Sequence, residues 1–74
     1  MISNFEKRVA DLIMEKRRFL NITQEQLDNA MDFKGTFIAK IESYKSAANL
    51  EHINKLAKIF NCSPKDLIPQ TYLD

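Results

Sequence analysis

Thr23-Gln24-Glu25-Gln26-Leu27, followed by Phe37-Ile38-Ala39-Lys40-Ile41-Glu42, is the stretch on which the fold turns. Thr23 and Gln26 have capping-box spacing: a hydroxyl at the cap and an amide three residues on, each positioned to satisfy the other's backbone N–H. A helix starts there, with Leu27, Ala30 and Met31 expected on its buried side. Asp32-Phe33-Lys34-Gly35 interrupts the periodicity and reads as a corner. A further short helix then runs to about Ser43, with Ile38 and Ile41 inward. Two short helices, each with one apolar stripe, meet at a tight corner.

The flanks are helical too. Ser3-Asn4-Phe5-Glu6 is another capping box. From it Phe5, Val9, Leu12, Ile13, Lys16 and Leu20 recur at helical spacing, so helix 1 is expected to reach about Phe19. The aliphatic stem of Lys16 suits the edge of that stripe. Asn21 is a left-handed stop. After a loop from Tyr44 to Ala48, Asn49 caps helix 4, whose stripe is Leu50, Ile53, Leu56, Ala57 and Phe60. Asn61 ends it. Ser63-Pro64-Lys65-Asp66 starts a short helix 5 carrying Leu67 and Ile68 inward, and Pro69 closes it. The expectation is one all-α domain of five helices over residues 1–74, with a core at about 4–68 and a tail at 69–74. No run alternates with strand period, and no heptad is sustained.

Composition narrows the function classes. Seventy-four residues with 45% apolar content, one Gly and two Pro make a single small core rather than a disordered chain. One Gly argues against a Gly-rich phosphate loop. Cys62 is alone, so no internal disulfide forms. The start lacks a signal-peptide pattern, and no stretch reaches membrane-spanning length, so a cytoplasmic location without membrane contact is expected. His52 and Cys62 lie ten residues apart, about 15 Å of helix rise, too far for a Cys–His couple. They cannot close a metal site. His52 is expected as a solvated helix residue and Cys62 as a small buried one. No cofactor, metal or catalytic residue is expected.

A helix, a corner and a second helix are the elements that fit the DNA major groove. Thr23-Gln24-Glu25-Gln26-Leu27, Glu42 at the end of helix 3, Leu56-Ala57-Lys58 and Ser63-Pro64-Lys65-Asp66-Leu67, in this order and spacing, resemble the Cro/CI-type, lambda-repressor-like helix-turn-helix family. The resemblance runs from Arg17 to Ile68 and implies a five-helix domain in which helices 2 and 3 form the motif. It also implies an ion pair between Arg17 and Glu42. The departures are Asp28 where the family prefers Ala, Asp32 where it prefers Gly, Lys34 at a usual Ser/Thr cap, Tyr44 at a Gly and Ala48 where Pro is frequent. Asp32 tolerates a left-handed corner. The helices approach closely at Asp28, so its carboxylate is expected to point outward or the helices to separate.

The resemblance implies a transcriptional regulator, a small repressor that binds double-stranded DNA as a homodimer through helix 3. Gly35, Thr36, Phe37 and Lys40 would face the bases: Gly35 by permitting close approach, Thr36 by a hydrogen bond or its methyl against thymine, Lys40 by reaching guanine or a phosphate, and Phe37 against a thymine methyl or else packed at the core edge or in a dimer contact. Gln24, Lys34, Ser43, Lys45 and Ser46 are the remaining contact candidates; Gln24 and the loop residues suit phosphates. Dimerisation would use an apolar patch near helix 5 and Tyr72-Leu73. A net charge of only +1, with Glu25, Asp28 and Asp32 inside the motif, keeps an alternative open. In it the same fold holds a protein partner, as an antitoxin or accessory regulator does.

Overall fold

The computed structural model describes residues 1–73. Among them the order is α1 (Asn4–Phe19), α2 (Gln24–Ala30), α3 (Phe37–Glu42), α4 (Leu50–Phe60) and one turn of 3₁₀ helix at Pro64–Leu67. The fifth helix expected from the sequence is therefore only that turn. Ile68 precedes Pro69 and is extended, at φ −129° and ψ 138°, which stops the helix after Leu67.

Three helices begin in reciprocal capping boxes. Ser3 pairs with Glu6, Thr23 with Gln26, and Asn49 with His52. In α4 the Nδ1 of His52 accepts the Asn49 N–H at 3.1 Å, an imidazole doing the work of a carboxylate. All four helices end in the same way. Asn21, Asp32, Tyr44 and Asn61 each adopt positive φ. Around each, one N–H reaches back five residues, as Ile22 does to the Arg17 carbonyl at 3.1 Å and Phe33 to the Asp28 carbonyl at 2.9 Å. This is the Schellman closure, made here without glycine. The single glycine, Gly35, sits instead in the corner at φ 92°, a conformation that other residues rarely adopt.

Ile13, Leu27, Met31, Ile38, Ile41, Leu56 and Leu67 are fully enclosed, so every element sends at least one side chain to a common core. Each such burial contributes about 1.5–3 kcal/mol. That decides the fate of α3. Six residues are far below the length of about 12–15 at which an isolated helix is even marginal, so Ile38 and Ile41 hold it, not its propensity. The inner face of α1 is Val9, Ala10, Ile13 and Arg17. Leu20 is exposed because the helix ends at Phe19 and the chain turns away.

Two further apolar residues expected inside lie outside. Ala30 is exposed because the buried face of α2 is centred on Leu27, Asp28 and Met31. Leu50 is 80% exposed at the first position of α4, beyond the reach of the core. Asp28 departs in the opposite sense. It is 4% exposed, not turned outward, and its Oδ1 accepts the Ile38 N–H at 3.0 Å. The helices need not separate, because the carboxylate fills the contact between them with a hydrogen bond.

Candidate nucleic-acid interface

The corner and α3 set the geometry. The α3 cap is Thr36, with Lys34 two residues upstream in the turn, so Lys34 does not occupy the cap position that the sequence pattern suggests. Thr36 makes no side-chain cap bond; the acceptor comes from Asp28 on α2. With Ile38 and Ile41 turned inward, Thr36, Lys40 and Ser43 fall on the opposite side and are exposed. Their spacing of four and three residues gives one solvent-facing ridge. Lys34 and Gly35 extend it at the leading end, and Lys45 lies exposed beyond the trailing end. Nothing within 4 Å would meet a side chain at Gly35, so its backbone conformation, not crowding, selects glycine.

The trailing end of α3 is anchored by charge. Arg17 Nε donates to Glu42 Oε2 at 2.6 Å, and its Nη2 donates to Oε1 at 2.9 Å. The side chains are only 10% and 5% exposed. Arg17 Nη1 also donates to the Ile22 carbonyl at 2.8 Å, so the guanidinium ties α1, the α1–α2 connection and α3 together. The bond to Glu42 raises the Arg17 pKa, against a smaller opposing effect of burial. The Gln24 amide donates to Glu42 Oε1 at 3.0 Å. Gln24 is therefore part of this cluster and offers DNA only its remaining amide groups.

Phe37 does not stand free on the ridge. Its ring meets Phe33 and His52 edge to face, each with centroids 4.6 Å apart, and is half-buried. Phe33 also meets His52 edge to face, at 5.7 Å. His52 is thus a packed residue linking α3 to α4, not a solvated one. Burial, and secondarily the charge of Lys55, lowers its pKa below the ordinary 6.5. Lys55 Nζ lies 5.5 Å from the Phe33 ring centroid and donates to the Met31 carbonyl at 3.4 Å, closing the cluster over the corner.

The loop after α3 is held to the helix. Ser43 Oγ donates to the Lys40 carbonyl at 3.4 Å, and the N–H groups of Lys45 and Ser46 reach the same carbonyl at 2.9 and 3.2 Å. Tyr44 takes the left-handed position, and its hydroxyl donates to Asp11 Oδ1 at 2.5 Å, pinning the loop to α1. That bond raises the phenol pKa. No local pattern marks Asp28, His52 or Tyr44 as a support of the site. The signal the sequence carries is that Asp28 and Tyr44 depart from the family pattern; nothing local links either to its partner.

This arrangement defines an all-helical domain whose two central short helices form a helix-turn-helix with an exposed polar ridge. A model of the helix-turn-helix family matches residues 13–67, well over half the chain. The chain belongs to that family, of the XRE, lambda-repressor- and Cro-like type, whose members are DNA-binding regulators in kind. No curated protein matches the chain. No helix among the described residues is long and apolar enough to cross a membrane.

Proposed function

We propose that this protein is a cytoplasmic, sequence-specific transcriptional regulator, a small repressor, that lays α3 in the major groove of double-stranded DNA as a homodimer. The observation that carries the reading is the Thr36, Lys40 and Ser43 ridge, exposed on a helix whose opposite face is clamped in the core. Thr36 and Lys40 read base edges, and Lys34, Ser43, Lys45 and Ser46 take phosphates. Phe37 braces the ridge more than it reads bases, since Phe33 and His52 cover it.

With few base-reading groups, affinity rests on phosphate contacts and DNA shape, and it is strongly salt-dependent. The second copy packs on the C-terminal side, where Leu12, Ile68, Pro69 and Leu73 line a groove of about 450 Å³ and Tyr72 is exposed. Dimerisation places two α3 ridges on half-sites about one helical turn apart.

Fluorescence anisotropy with a random-sequence duplex at low salt tests the reading. Binding is expected to weaken steeply with added salt; Lys45→Ala is expected to lower the salt slope by about one, and Lys40→Ala to weaken binding without lowering the melting temperature. Absence of binding at low salt would transfer the assignment to the protein-partner reading, which the net charge of +1 favours. A loss of folding in Lys40→Ala would refute its placement as a contact residue.

A further inference from the structure

We infer that Asp28 is a positioning residue for DNA recognition: its carboxylate sets the leading turn of α3 and so the presentation of Thr36 and Lys40. The inference rests on the DNA-binding reading above. Residue 28 holds the corner twice. Its backbone carbonyl accepts the Phe33 N–H at 2.9 Å, closing α2, while its side chain accepts the Ile38 N–H at 3.0 Å, opening α3. Both ends of the corner are therefore fastened to one residue of α2. Thr36, which occupies the cap position, contributes no side-chain cap bond and is left exposed. A local cap would have drawn the Thr36 hydroxyl inward onto the helix's own N–H groups; the remote one frees it to face outward.

The position is demanding. Asp28 is 4% exposed, and the Ile38 N–H it satisfies belongs to a residue with no exposed surface. Removing the acceptor strands that donor inside the protein. A negative group also suits the positive end of a helix, so the charge and the hydrogen bond act in the same direction. Glu42 does the corresponding work at the other end through Arg17 and Gln24. A carboxylate thus clamps each end of a six-residue helix, one as part of it and one from its neighbour.

Two variants separate acceptor from shape. Asp28→Asn keeps an oxygen acceptor at the same place, and Asp28→Leu keeps the volume without one. Asp28→Ala serves if the Leu variant does not fold. Affinity is measured on a duplex enriched from a random pool by the parent protein and on an unselected duplex, well below the melting temperature. Amide exchange of Ile38, Ala39 and Lys40 is followed in the free protein. Asp28→Asn is expected to stay within about threefold of the parent on both duplexes. Asp28→Leu is expected to lose about tenfold on the enriched duplex only, with faster exchange at Ile38. Equal losses on both duplexes, unchanged affinity, or unchanged Ile38 exchange would overturn the inference. If the parent enriches no duplex, the DNA reading fails, and Ile38 exchange still decides whether Asp28 positions the turn.

Discussion

Arg17 concentrates the electrostatics of the domain in one side chain. Its guanidinium faces Glu42 with two donors in a fork that matches the carboxylate, and a third donor satisfies the Ile22 carbonyl. A surface pair of this kind contributes little, but these side chains are nearly enclosed. Arg17→Ala is expected to cost about 3–5 kcal/mol in urea melts, mostly because Glu42 is left buried without its cation. That is a large share of the about 4–11 kcal/mol total for a domain this size. Arg17→Lys should recover only part, since a single ammonium cannot replace the fork. A parent-like midpoint for Arg17→Ala would refute this account of the pair. Asp32 offers the opposite test. It holds φ 63° at an exposed helix end, where glycine has no Cβ penalty. Asp32→Gly is expected to raise stability by up to about 1 kcal/mol, or a few degrees in the melting temperature. A lower midpoint would show that its carboxylate has a role beyond the turn.

At the scale of the elements, what was legible in the sequence is what acts over three or four residues. Ser3 with Glu6, Thr23 with Gln26, and Asn49 are local caps, so the starts of α1, α2 and α4 could be read directly. Asn21 and Asn61 marked the ends of α1 and α4 for the same reason. Asp28 could not be read. Its partner Ile38 lies ten residues away, and only the packing of α2 on α3 brings them together. The Phe33, Phe37 and His52 cluster likewise joins residues from three separate segments. The exposed ridge of α3 was legible because Ile38 and Ile41 fix which face goes inward, whereas the fastening of Gln24 to Glu42 needs the tertiary fold.

The His52 cluster makes α4 sensitive to pH. Nδ1 accepts the Asn49 N–H, which requires that nitrogen to be unprotonated. The folded pKa lies below the ordinary 6.5 of the unfolded chain, so the unfolded state binds more protons in that window. The contribution of His52 is therefore complete above about pH 6.5 and is lost as pH falls through that value toward the lowered one. Melting temperatures are expected to fall between pH 7.5 and 5.5, and to fall less in His52→Gln, whose amide rebuilds the cap as Gln26 does in α2. An equal fall in both proteins would assign the pH dependence to other groups.

Taken as a whole, the molecule keeps its rigid parts and its exposed chemistry apart. The core residues and the Arg17 cluster fix α3 from behind, and Thr36, Lys40 and Ser43 stand in solvent in front. Phe19, Tyr72 and Leu73 leave apolar surface uncovered elsewhere, on α1 and the C-terminal segment, where the proposed second copy would pack. The central claim is that the front of α3 is the nucleic-acid surface. Amide shift mapping on addition of an enriched duplex tests it most directly. The largest shifts are expected at Gln24, at Lys34 to Lys40 and at Ser43 to Ser46. Shifts confined to α1 and the C-terminal segment, with α3 unmoved, would contradict it.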